Sequence, residues 1–105
     1  MTIRVGISAA ALADEESAIG WYLAEAGSPG AQRFAAALGD SYELLGATPE
    51  VGSQRNAHSL GIPGLCAVKV ERFPYLVFYI QRPDSVDVLR VLHTRQDATV
   101  LAEAE

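Results

Sequence analysis

The side chains with the most chemical potential lie near the end of the chain, in Arg90-Val91-Leu92-His93-Thr94-Arg95-Gln96-Asp97. A histidine set among cations and a carboxylate has the parts for moving a proton beside an anion, so this group first reads as a catalytic cluster acting on a phosphate. Each member also has a plainer reading. His93 has no nucleophile or metal-ligand companion nearby, and a strand-end histidine can simply hydrogen-bond a carbonyl or Asp97. Arg90 and Arg95 can pair with Asp87 and Asp97, contacts worth little on a surface. His58 stands alone in a loop, and no Cys or carboxylate spacing joins it to His93 as a metal site, so neither a metal nor a cofactor is expected. Cys66, the sole cysteine, cannot form an intrachain disulfide. It reads as a small packed residue, and a reducing cytoplasm is the default compartment.

The polar cluster is carried by two apolar strands. Phe73-Pro74-Tyr75-Leu76-Val77-Phe78-Tyr79-Ile80 and Val86-Asp87-Val88-Leu89-Arg90-Val91-Leu92 are separated by Arg82-Pro83-Asp84-Ser85, whose composition suits a turn. Strands are expected at Ala67 to Phe73, Tyr75 to Gln81 and Val86 to Leu92, linked too briefly for anything but antiparallel pairing. Tyr75 and Tyr79 share one face, where core packing explains them first. Upstream, Ile3, Val5 and Ile7 alternate with Arg4 and Gly6 as in a half-buried strand.

Two helices lie between. Ser8 suits an N-cap for a helix from Ala9 to Ala26, with Leu12, Ile19, Tyr22, Leu23 and Ala26 on its apolar face and Asp14, Glu15 and Glu16 on the other side. Gly20 inside this helix suggests close approach of another backbone. Gly27 suits a C-terminal cap, and Ser28-Pro29 a second helix start. That helix runs to about Ala47, with Phe34, Leu38, Tyr42 and Leu45 on one stripe, and ends before Pro49. The two helices should form an antiparallel hairpin. Residues 53–66 show no period and read as a loop, and Ala98 to Ala104 as a short terminal helix. The expected fold is α+β in the order β-α-α-β-β-β, the hairpin on one face of a mostly antiparallel sheet.

Composition bounds what such a domain can do. The 105 residues make one domain, with half of them apolar and a fifth charged. No apolar run approaches the roughly 20 residues of a membrane span, and Met1-Thr2-Ile3-Arg4-Val5 lacks a signal-peptide layout. The net charge of −5 is uneven: residues 1–53 carry −5, residues 54–96 carry +3 and residues 97–105 carry −3. The later segment is thus locally basic, as an anionic partner or a solvated surface would have it.

At this point the residues carry a resemblance. Ser28-Pro29, Leu45…Pro49-x-x-Gly52, Pro63-Gly64-Leu65, the Phe73-to-Tyr79 strand and Val91-Leu92-His93-x-Arg95-x-Asp97 follow one another as in the ParE branch of the RelE/ParE toxin superfamily, which this chain resembles over nearly its whole length. The resemblance implies a bacterial type II toxin held by a tightly bound ParD-like antitoxin of the ribbon-helix-helix type, with DNA gyrase as the usual target and no direct DNA binding. Family members often have an arginine where this chain has Cys66 and another where it has Gln96, so positive charge is thinner here. RelE-like relatives cleave messenger RNA on the ribosome. They resemble one another in an arginine at the position of Leu76 and often in a C-terminal tyrosine, whereas nothing aromatic follows Tyr79.

The expected mode is therefore binding rather than catalysis. Target contact is expected at Arg72, Arg90, His93 and Arg95, and antitoxin contact at Trp21, Ala35, Leu38, Gly39 and Tyr42, where small residues leave shallow grooves for an amphipathic segment. Trp21 and Tyr22 are consecutive and cannot both be central to one helix face, so one of them is left for a partner. A RelE-like nuclease and a non-toxic antitoxin-binding co-repressor are the alternatives.

Overall fold

The computed structural model describes residues 2–96 and 98–103, the side chains of Asn56, His58, Ser59, Ala102 and Glu103 excepted. The expectations placed on His58, Asp97 and Ala104 lie outside the described side chains and residues. The order of elements is β1 (Arg4–Ile7), α1 (Ala9–Ala47), a 3-10 turn (Pro49–Val51), α2 (Arg55–Leu60), β2 (Leu65–Lys69), β3 (Tyr75–Gln81), β4 (Ser85–His93) and α3 (Val100–Glu103). The architecture is α+β.

Strand order in the sheet is β1-β4-β3-β2, with β1 parallel to β4 and the other two pairings antiparallel. The parallel pair is possible because α1 supplies the crossover. β3 has the bounds its sequence implied, whereas β2 begins and ends earlier than expected. Residues 70–74 form a turn instead, closed by Val70 N–H donating to Tyr75 C=O at 2.9 Å and Phe73 N–H donating to Val70 C=O at 3.2 Å.

Gly27 divides α1 at φ 70° and ψ −176°, a left-handed conformation that side chains with a Cβ adopt only under strain. The arms fold back on each other about this point. Tyr22 stacks on Phe34 with ring centroids 5.0 Å apart, and the Tyr42 hydroxyl donates to the Glu15 carboxylate. Ser8 caps the first arm, accepting from Ala11 N–H at 3.0 Å. The buried line of this arm is Ala11 and Ala18, with Asp14 between them in spacing. Leu12 and Leu23, expected inside, are 46% and 53% exposed. A Cβ on Gly20 would meet nothing within 4 Å, so no backbone packs there.

Both faces of the sheet are covered. Phe34, Leu38 and Leu45 of the second arm pack with Val77, Tyr79, Val86, Val88 and Val91 on one face. On the other, Phe78, Ile80 and Leu92 meet Leu65, Ile62 and Leu101. The expected loop over residues 53–66 thus includes α2, and partly buried Ala57 and Leu60 join the second cluster. A six-residue helix gives too few turns for a periodic signal, which is why it was invisible in sequence. A bulge lets β4 serve both layers: Phe78 pairs with Arg90 and Tyr79 with Val88, leaving Leu89 as the extra residue. It shifts the alternation, so that Val86, Val88 and Val91 all join the helix-side cluster.

Candidate functional site

The bulge also sets up the first polar corner. β1 pairs only with Ser85 to Val88, and beyond it the edge of β4 is closed by the start of α1 and by one later residue. Ser8 N–H donates to Val88 C=O at 3.0 Å, and Ser8 Oγ donates to Leu89 C=O at 2.8 Å. Val91 N–H donates to Asp14 Oδ2 at 2.9 Å, and His93 N–H to Gln96 Oε1 at 2.6 Å. Side chains thus satisfy backbone groups that would otherwise offer a free edge.

Arg90 belongs to this closure. Its Nε donates to Asp14 Oδ2 at 2.8 Å and its Nη2 to Oδ1 at 2.9 Å, a planar two-point match of guanidinium to carboxylate. Only 20% of the Arg90 side chain and 13% of that of Asp14 is exposed. The hydrogen bonds to Asp14 raise the Arg90 pKa, outweighing the opposite pull of burial. Arg90 therefore ties helix to strand through its Nε–Nη2 edge, so the fold already uses the side chain that the sequence expectation assigned to a target. Asp87, its expected partner, pairs instead with Arg82 at 2.8 Å on the surface.

His93, Arg95 and Arg72 lie at the far end of the same strands. His93 Nδ1 accepts from Arg95 N–H at 3.0 Å, which leaves the proton of the neutral ring on Nε2. Its ring meets the edge of Tyr75 at 5.2 Å. Tyr75 in turn belongs to an aromatic group with Tyr22, Phe34 and Phe73, the last two meeting at 5.2 Å. This group fixes the β2–β3 turn against the hairpin. Arg72, exposed in that turn, has φ 72°, a conformation costing a non-glycine residue about 1–2 kcal/mol. Arg95 is exposed too, and neither arginine forms an ion pair with a described residue.

Beside the turn runs an open groove of about 620 Å³. Ala36, Ala37, Ser41 and Leu44 of the second arm form one wall, and Lys69, Glu71, Arg72 and Phe73 the other, with Arg33 and Asp40 also on its margin. Sequence reasoning missed it because its walls are joined only through the fold.

The residues expected to meet an antitoxin separate into three situations. Trp21 is 56% exposed, its ring against the edge of Tyr22 at 4.9 Å. Ala35 is exposed, and half-buried Gly39 has open space where a Cβ would be. Tyr42 is half-buried, bonded to Glu15, with its pKa raised first by burial and then by that carboxylate. Leu38 is 2% exposed in the core and offers a partner nothing, correcting its expected role.

Two further positions are structural. Cys66 is buried, and its thiol donates to Gly64 C=O at 3.5 Å. Tyr79 donates to Pro49 C=O at 2.7 Å and accepts from Gly52 N–H at 2.9 Å, which pins the exit of α1. A Cβ on Gly52 would lie 2.8 Å from Tyr79 Cε1 and 3.0 Å from Ala67 O, so only glycine fits.

The profile of the family described as "ParE toxin of type II toxin-antitoxin system, parDE" matches residues 5–98. The chain belongs to the ParE toxin family. A solved structure titled "Chromosomal ParDE TA system from P. aeruginosa" is similar to this ParE-family chain at TM-score 0.73 and 17% identity, covering 88% of this chain and 96% of the other. At that identity the likeness concerns the fold. Comparison with curated proteins gives no match. No helix among the described residues is long and apolar enough to cross a membrane.

Proposed function

We propose that this ParE-family chain arrests bacterial growth by binding its target rather than by catalysis, with DNA gyrase as that target and a ParD-like ribbon-helix-helix antitoxin as its neutralising partner in the cytoplasm. The observation that carries the reading is the state of the catalytic-looking cluster. Arg90 is held by Asp14 through two hydrogen bonds, and His93 Nδ1 is occupied by Arg95 N–H. Leu76, at the position where RelE-like nucleases have an arginine, packs with the apolar cluster on the sheet face away from the hairpin. Cleavage of RNA needs a proton donor, a proton acceptor and a cation on one phosphate, and this set of contacts supports none of the three acting together.

Two surfaces remain for binding. Arg72, His93 and Arg95, at the aromatic end, are the target-contact candidates, and Arg90 acts only by holding the strand that carries His93. Trp21, Ala35, Gly39 and Tyr42 on the hairpin are candidates for an apolar antitoxin helix, a common way for a groove to take a partner segment. Expression of the chain alone should stop growth, and co-expression of an adjacent ribbon-helix-helix gene should restore it. Normal growth on expression alone would instead favour an antitoxin-binding co-repressor.

A further inference from the structure

Where β4 ends, residues 94–96 leave helix and strand behind and are exposed, yet each backbone donor from His93 to Gln96 has a partner in the protein. His93 N–H donates to Gln96 Oε1 at 2.6 Å, and Gln96 N–H donates back to His93 C=O at 2.9 Å. Between them, Thr94 N–H donates to Pro74 C=O at 2.8 Å and Arg95 N–H to His93 Nδ1 at 3.0 Å. In an exposed turn water satisfies such groups equally well. What the two side chains add is a fixed shape.

The His93 ring is held from two sides. Its Nδ1 takes the amide two residues on, as an asparagine or aspartate oxygen does in an Asx turn. Its face or edge is set by Tyr75, whose ring lies 5.2 Å away at 77° and is buried in the aromatic group. Gln96 closes the turn from its other end. The turn carries Arg95, exposed and without an ion pair to a described residue. The bond from Thr94 to Pro74 also ties it to the turn of Arg72, two residues before that proline. The two exposed arginines thus come from adjoining turns, each closed by its own hydrogen bonds.

We infer that His93 and Gln96 are positioning residues, which hold residues 94–96 in the shape that presents the Arg95 guanidinium to the target from the same end of the sheet as Arg72. The inference rests on the target-binding reading and deepens it. Gln96, which the family resemblance marks only as missing charge, acquires a part, and His93 acts through Arg95 rather than by touching the target. A preformed turn lowers the ordering that binding would otherwise require of backbone and long side chain.

Substitutions that copy one ring nitrogen at a time test this. Asparagine can place an acceptor where Nδ1 stands, and glutamine a donor where the Nε2 proton stands. Both lose the ring contact with Tyr75, so comparing the two cancels that loss. His93→Asn should keep the Arg95 amide slow in hydrogen exchange and stay within about threefold of wild type in a purified gyrase supercoiling assay. His93→Gln should speed that exchange and weaken inhibition about three- to tenfold, the range for ordering one side chain and its loop on binding. Gln96→Met keeps the length, removes the acceptor and should behave like His93→Gln. In an Arg95→Ala background, His93→Gln should add almost nothing, because its effect passes through Arg95. Inhibition kept by His93→Gln but lost by His93→Asn, losses that add in the double variant, or Arg95 exchange unchanged in His93→Gln and Gln96→Met overturns the inference. Failure of the wild-type chain to inhibit gyrase removes that target instead, and Arg95 exchange, read on the chain alone, then decides whether the brace exists.

Discussion

Arg90 on β4 and Arg72 in the β2–β3 turn lie in opposite surroundings, one guanidinium enclosed beside a carboxylate and the other in solvent. Arg90 has a carboxylate at two hydrogen-bonding distances, 20% exposure and a raised pKa. Arg72 stands in solvent, in a left-handed turn, with no ion pair to a described residue. Residue type says nothing about this division. What decides it is whether the fold brings an acid to the guanidinium, because a partly buried charge without its counterion costs several kcal/mol, whereas an exposed one costs almost nothing.

The contrast is broken most severely by removing Asp14. Asp14→Ala leaves Arg90 half-enclosed without a counterion and Val91 N–H without an acceptor, and should lower stability by roughly 3 kcal/mol in denaturant titration. Arg90→Ala should cost somewhat less, and the double variant should cost far less than the two singles combined. Additive losses would mean that the two side chains do not act as a pair.

A neighbouring clamp sharpens the same flank. The Tyr42 hydroxyl donates to Glu15, and burial together with that carboxylate raises the tyrosine pKa above its ordinary 10.0. A group whose folded pKa is raised contributes its full stabilisation below the unfolded value and loses it as pH climbs past that value. Stability should thus hold below pH 10 and decline above it, and Tyr42→Phe should flatten the decline while costing about 1 kcal/mol at neutral pH. The smallest effect is expected on the unpaired side. Arg72→Gly relieves the left-handed backbone but frees the unfolded chain, so melting should show a gain of about 0.5 kcal/mol at most.

These two flanks also mark how far sequence reaches. The hairpin break was readable because Gly27, Ser28 and Pro29 each have a local backbone reason to be there. β3 was readable because a turn and a proline bound an apolar run. The sequence pattern sets Asp14 with Glu15 and Glu16 opposite the apolar face, yet it lies three residues after Ala11 and four before Ala18, both buried. An acid on the line of the buried small residues is a signal for a distant cation, and that signal was available. The groove left none, since Leu44 and Phe73 meet only through the packing of hairpin on sheet.

The central claim is that the chain acts by binding through exposed cations while Arg90 serves the fold. It is tested most directly by a purified gyrase supercoiling assay comparing the wild-type chain with Arg72→Ala/Arg95→Ala, with messenger RNA and ribosomes incubated in parallel. The wild-type chain should inhibit supercoiling in proportion to its amount and leave the RNA intact, and the double variant should lose inhibition at least about tenfold with its melting temperature unchanged. RNA cut by substoichiometric wild-type chain, or full inhibition by the double variant, would contradict it.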